Sequence, residues 1–208
     1  MSSKTNWIPL FTTNFLTVFN DNFLKWLVCF ISIKWVTQIS ESTIISIASA
    51  MLVLPFIFLS PLAGKLSVKY DKKKILLYGK IAEIPIMMIA ALGFVFQSIY
   101  LVMTAVLLLG LQSCLFSPSK YGLIRDVGGE KGISYGTGSM EMLTFGGVLI
   151  GTFLASVISD HYSLILIILL INGIAVISLF TTTLIKADEP EASSQYTGSI
   201  NPISYIIY

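Results

Sequence analysis

The stretch VFNDNFLKW, Val18 to Trp26, sets Asn20, Asp21, Asn22 and Lys25 inside an apolar run that extends from about Leu10 to Ile33. A carboxylate and an ammonium four residues apart share one helix face. At the centre of a bilayer a charge costs at least about 2.5–3.5 kcal/mol, so such groups pair or turn towards protein or water. Asn14 and Thr17 continue the polar stripe at helical spacing. Two readings follow. Either an Asp21–Lys25 pair only fixes helix packing, or it lines a cavity and meets a polar substrate group or a proton. Ionisable groups within membranes are functional by default, which favours a cavity lined by Asn14, Asp21, Asn22 and Lys25.

Two more carboxylates fall in apolar segments. Glu83 lies three residues after Lys80 and two before Pro85. Lys80 stands close enough to the segment's end to snorkel, and a structural pair with Glu83 competes with a cavity role for the acid. Glu141, in GTGSMEMLTFGG, is either a helix-end charge or a cavity group. Around it Gly136, Gly138, Gly146, Gly147 and Gly151 read as packing devices, because small residues let membrane helices approach closely. Pro55, Pro61 and Pro118 each remove a backbone donor and kink a helix, for gating or for packing. No nucleophile–base constellation is present. The one histidine, His161, and the two cysteines, Cys29 and Cys114, form no ligand cluster, and the cysteines read as free buried thiols. No enzyme activity, cofactor or metal is expected.

The elements that must hold these residues are membrane helices. The 208-residue chain is 55% hydrophobic and 12% charged, against about 25% charged in an average soluble protein. Its mean hydropathy is +0.84. A net charge of +2 is too small to point to nucleic acid. Six apolar segments approach the length of a bilayer span: about 10–33, 44–66, 75–96, 100–123, 135–159 and 164–185. Lipid offers the backbone no hydrogen-bond partner, so each segment must be a helix. The expected fold is all-α, a polytopic membrane bundle of six transmembrane helices over residues 1–186. MSSKTNWIPLFTTNF does not read as a signal peptide, because Thr12, Thr13 and Asn14 interrupt it. Lys65, Lys69, Lys72, Lys73 and Lys74 sit between the second and third segments, and Lys120, Arg125 and Lys131 between the fourth and fifth. Positive residues stay on the cytoplasmic side, which puts both termini there. The polar KADEPEASSQYTGS makes 187–208 a cytoplasmic linker, expected to lead to a second half.

The loop GKLSVKYDKKKIL, Gly64 to Leu76, resembles the signature loop of the major facilitator superfamily. Gly64, Leu66, Lys69, Lys72 and Lys73 match. Val68 stands where that family has an aspartate thought to latch its two halves, and Asp71 stands at its second glycine. Three more segments resemble the lysophospholipid transporter branch: FNDNFLK at 19–25, SPSKYGLIRD at 117–126 and GSMEMLTFGGVLIGTFLAS at 138–156. In the second of these Pro118, Lys120 and Tyr121 match a helix-end element and Ser117 departs from it. The third carries Glu141, Gly151 and Thr152.

The resemblance implies the N-terminal half of a twelve-helix transporter in a bacterial inner membrane, with Gly64, Asp71, Lys72 and Lys73 as a gating loop. Its partners would be the bilayer, a lysophospholipid or other small substrate, and a C-terminal half, or a second copy as a homodimer. Relatives in that branch are sometimes fused to an acyltransferase, but no His-x4-Asp motif of that enzyme occurs here. The function expected is secondary transport of lysophospholipids by alternating access. The alternatives are a proton-coupled carrier of a small soluble solute and the membrane anchor of a fused acyltransferase.

Overall fold

A computed structural model describes residues 6–36, 39–161 and 163–187. Among these residues all regular structure is helical, in five elements: α1 Ile8–Ser32, α2 Glu41–Lys69, α3 Lys72–Val95, α4 Ile99–His161 and α5 Leu164–Thr183. The linker expected over 187–208 lies outside the described residues beyond Ala187.

Local chemistry sets the helix starts. Pro9 lies in the first turn of α1, where its missing N–H breaks no helical bond. Ser40 caps α2 by accepting from the Thr43 N–H at 3.4 Å, and Ser163 caps α5 through Leu166 N–H at 3.4 Å. Glu41 in the first turn of α2 and Lys69 in the last carry the signs that the helix dipole favours.

The largest departure from expectation is α4. Two helices joined by a charged loop are expected over 100–159; two helices are found there, but with no loop, only Gly129 at φ 63° and ψ −175° between them. Glycine tolerates that left-handed φ without a Cβ clash. The chain reverses there. Residues 121 and 141 would be about 30 Å apart on a straight helix, yet the Tyr121 hydroxyl donates to Glu141 Oε1 at 2.7 Å. We call 99–128 the first arm and 130–161 the second.

Among the described residues four helices, α2, α3, α4 and α5, are long and apolar enough to cross a membrane. α1, expected as the first span, is not among them, because its polar stripe lowers its hydropathy. It is instead the most enclosed helix, with 15 of its 25 residues buried. It packs on the second arm through glycine: a Cβ at Gly151 would lie 2.7 Å from the Phe19 carbonyl oxygen, and one at Gly147 would lie 3.1 Å from the Phe19 nitrogen. α2 crosses the first arm at Gly110, where a Cβ would stand 2.9 Å from the Met51 carbonyl oxygen. That carbonyl has lost its helical partner to Pro55.

The buried side chains fall into layers. A large apolar cluster takes Phe23 to Ile31 of α1, Ile86 to Phe94 of α3, Val102 to Leu109 of α4 and Ile167 to Ala175 of α5. A smaller one holds Leu10, Leu76, Phe116, Leu123, Ile124, Met140 and Ile185. Between them, on the same four helices, lie buried polar residues that include Asn14, Asn20, Asp21, Lys80, Glu83, Ser113, Lys120 and Thr182. The outer surface is apolar, with Phe58, Phe145, Leu149, Phe153 and Leu169 each more than 60% exposed. A surface of that kind suits acyl chains and not water.

Candidate functional site: a buried polar belt

The centre of the belt is an ion pair. Lys80 Nζ donates to Glu83 Oε2 at 2.5 Å, and both side chains are fully buried. Three residues of helix separate them, so α3 alone presents the pair on one face. Lys80 therefore does not snorkel; the structural pair with Glu83, the other expected reading, forms and holds it inside the bundle. Glu83 Oε1 accepts from Asn20 Nδ2 of α1 at 2.9 Å, and the same amide reaches the Ile171 carbonyl of α5 at 3.4 Å. The Lys80 ammonium also lies 5.6 Å from the centre of the Phe116 ring.

Asp21 is buried beside this pair. Ser113 Oγ of the first arm donates to Asp21 Oδ2 at 2.7 Å, while Asp21 Oδ1 has no hydrogen-bond partner among the described residues. The charges that act on Asp21 are Glu83, Lys80 and Lys120. The expected Asp21–Lys25 pair is not formed. Lys25 is half-buried, with its ammonium 4.9 Å from the Trp26 ring centre. Four residues advance a helix by about 40° beyond one full turn, enough to leave Lys25 at the edge of the face that Asp21 occupies. Asn22 is also turned aside, donating to the Val18 carbonyl of its own helix at 2.9 Å.

Asn14 does join the belt. Its Nδ2 donates to the Met140 carbonyl and to Thr144 Oγ1, each at 3.1 Å. Close by, Thr13 and Thr181 share a hydrogen bond at 2.9 Å. Glu141 is half-buried and receives Tyr121 OH from the opposite arm. Lys120 is 7% exposed, and its ammonium lies 5.2 Å from the Tyr121 ring centre. Asp21 and Glu141 act on it electrostatically, but no ion pair to a carboxylate forms among the described residues. Pro118, Lys120 and Tyr121, expected at a helix end, lie inside the first arm, because the helix runs on to residue 128.

The expected gating loop divides in two. Lys72 faces inward: its stem lies against Gly122, where a Cβ would be 2.7 Å from Lys72 Cδ, and its ammonium meets Asp126 at 2.9 Å. Asp71 stands at the N-cap of α3 but gives its carboxylate to Lys74 at 2.5 Å, not to the helix amides. Asp71 therefore does not reach across to another helix in place of the family aspartate. Lys73 is half-buried. Gly64 lies within α2, with nothing within 4 Å of where a Cβ would sit. Open space also faces Gly138 and Gly146, so of the five glycines read as packing devices only Gly136, Gly147 and Gly151 make close approaches.

A sequence model of the Major Facilitator Superfamily matches residues 10–203. The chain belongs to this superfamily. It is therefore a multi-pass membrane protein of the secondary transporter class, and the family is not one of enzymes. Among curated proteins no relative matches the chain. In this transporter three belt residues escape a search for charges within apolar runs. Ser113 and Gln112, whose Nε2 donates to the Gly79 carbonyl at 2.9 Å, look like minor breaks in LLLGLQSCLF, and Asn20 is overshadowed by Asp21. Only the meeting of α1 and α3 gives Asn20 its partner Glu83, and only the approach of the first arm of α4 gives Ser113 and Gln112 theirs on α1 and α3.

Proposed function

We infer that this chain carries lysophospholipids across a bacterial inner membrane as the N-terminal six-crossing half of a twelve-helix transporter. In this reading α1, α2, α3, the two arms of α4 and α5 make the six crossings, with both termini cytoplasmic. The observation that carries it is the state of Lys120, a buried ammonium without an ion-paired carboxylate, set on the same belt as Asp21 with its open Oδ1. Leaving a buried charge unpaired is costly, so the site gains from an anionic group that arrives with the substrate. A lysophospholipid phosphate supplies that anion to Lys120, and a headgroup amine supplies a donor to Asp21. The single acyl chain stays against the apolar outer faces of the helices. Transport follows rocking of one half against the other about a site near the midplane.

The test is reconstitution of the full chain in proteoliposomes with labelled lysophospholipid. Lys120→Gln is expected to cut translocation at least about 10-fold, the loss of one charge-assisted contact, with membrane expression unchanged. Wild-type protein that moves no lysophospholipid defeats the lipid reading. A second reading is a proton-coupled carrier of a small soluble solute, favoured by the carboxylate oxygen of Asp21 that lacks a partner. It requires uptake that follows an imposed pH gradient and is abolished in Asp21→Asn. A third, the anchor of a fused acyltransferase, requires a soluble catalytic domain downstream instead of a second block of membrane helices.

A further inference from the structure

The outward face of the α2–α3 junction carries a feature that the belt does not use. A cleft of about 550 Å³ is lined by Lys69, Tyr70, Asp71, Lys74, Ile75 and Tyr78. Lys69, Tyr70, Lys74 and Tyr78 are all exposed, and Lys69 Nζ lies 5.6 Å from the centre of the Tyr70 ring. Two ammonium groups face one carboxylate, Asp71, which holds Lys74 at 2.5 Å. The lining is thus net positive, and two tyrosines and Ile75 add phenol hydroxyls and apolar surface to it. This is the outer side of the loop whose inner side ties Lys72 to Asp126.

Its height in the bilayer follows from helix length. α2 has 29 residues and α3 has 24, or about 43 Å and about 36 Å at 1.5 Å per residue. Both exceed the hydrocarbon thickness of about 30 Å. Each helix thus extends beyond the hydrocarbon, and the junction at residues 69–72, flanked by Lys69, Lys72, Lys73 and Lys74, is an end that belongs in the headgroup layer, where tyrosine rings and lysine stems are at home. The anions most concentrated at that depth are lipid phosphates. A phosphate with a glycerol and acyl root attached also matches a cleft whose lining combines basic and apolar side chains.

We propose that this cleft binds the headgroup of an anionic phospholipid of the surrounding bilayer, with Lys69 and Lys74 on the phosphate and Tyr70 and Tyr78 as flanking donors. The site is separate from the transport belt and does not depend on what the belt carries.

The experiment is native mass spectrometry of the full chain released from micelles that contain phosphatidylglycerol or phosphatidylcholine at equal concentration. Wild-type protein is expected to retain phosphatidylglycerol in preference. The double variant Lys69→Gln/Lys74→Gln is expected to lose that retention about 10- to 30-fold, the size set by two lysines at an anionic surface, with phosphatidylcholine unchanged. Lys69→Arg/Lys74→Arg, which keeps both charges, is expected to retain it, and this separates lost binding from misfolding. Equal retention of the two lipids by wild type, or undiminished phosphatidylglycerol on the Gln variant, overturns the proposal. So does displacement of the lipid by millimolar glycerol phosphate, which identifies a site for free phosphate instead.

Discussion

α1 and α2 invert the rule that apolar helices go inside. α1 carries Asn14, Thr17, Asn20, Asp21, Asn22 and Lys25 and buries 15 of 25 residues. α2 contains no acid beyond its first residue, yet buries 5 of 29 and turns Ile57 and Phe58 outward, 65% and 69% exposed. In water the hydrophobic effect would reverse that order. In lipid it does not rank helices, because acyl tails are as apolar as leucine. What decides is where polar groups find partners. α1 goes to the centre because Asn14, Asn20 and Asp21 find their partners on α3, α4 and α5. α2 can stay at the rim because its stripe is content in hydrocarbon.

The comparison is broken most severely at the ion pair. Glu83→Gln leaves Lys80 as a buried charge without its carboxylate and takes a strong acceptor from Asn20. We expect a loss of about 3–5 kcal/mol, read as a drop in thermal unfolding temperature in detergent. A Lys80→Met/Glu83→Met double variant should recover most of it, since both charges then leave together. An unchanged unfolding temperature for Glu83→Gln would show that neither the pair nor the Asn20–Glu83 bond is what holds α1 against α3.

Next in size is the close approach of α1 to the second arm. Gly151→Ala places a methyl group against the Phe19 carbonyl, which as backbone cannot rotate away. A cost of about 1–3 kcal/mol follows from overpacking. Gly146→Ala, on an open face of the same arm, should cost nothing measurable in the same unfolding assay.

The smallest effect sharpens the contrast within α1 itself. Lys25→Gln removes a half-buried ammonium from the rim of the helix, next to Trp26 and away from Asp21. Stability should stay within about 0.5 kcal/mol and transport should be unchanged, whereas Asp21→Asn abolishes or strongly reduces transport. Equal effects of the two would restore Asp21 and Lys25 as one functional pair.

Much of the architecture was legible from hydropathy alone. Long apolar segments separated by charged junctions at 69–74 and 186 are found as helices, and α3 and α5 begin and end within a few residues of the expected bounds. The fourth and fifth segments were legible as apolar runs, but not the manner of their joining. Lys120, Arg125 and Lys131 resemble a loop by composition, whereas helical dihedrals continue on both sides of one glycine. The site was legible in part. Asn14, Asp21, Glu83 and Lys120 reach the belt, while Asn22 and Lys25 do not, because a spacing of one or four residues states angular distance on a helix and not what stands opposite.

What the residue order determined by itself is the class of molecule: a chain too apolar for water, with titratable groups at positions along helices where lipid would not accept them. Which of those groups meet was decided only by tertiary packing. Asp21 took Ser113 in place of Lys25, and Glu83 took Asn20 as well as Lys80, because helix rotation and glycine-mediated approach bring residues distant in sequence within 3 Å. Hydrogen bonds are short-range and directional, so these choices depend on ångström-scale geometry that no one-dimensional pattern contains.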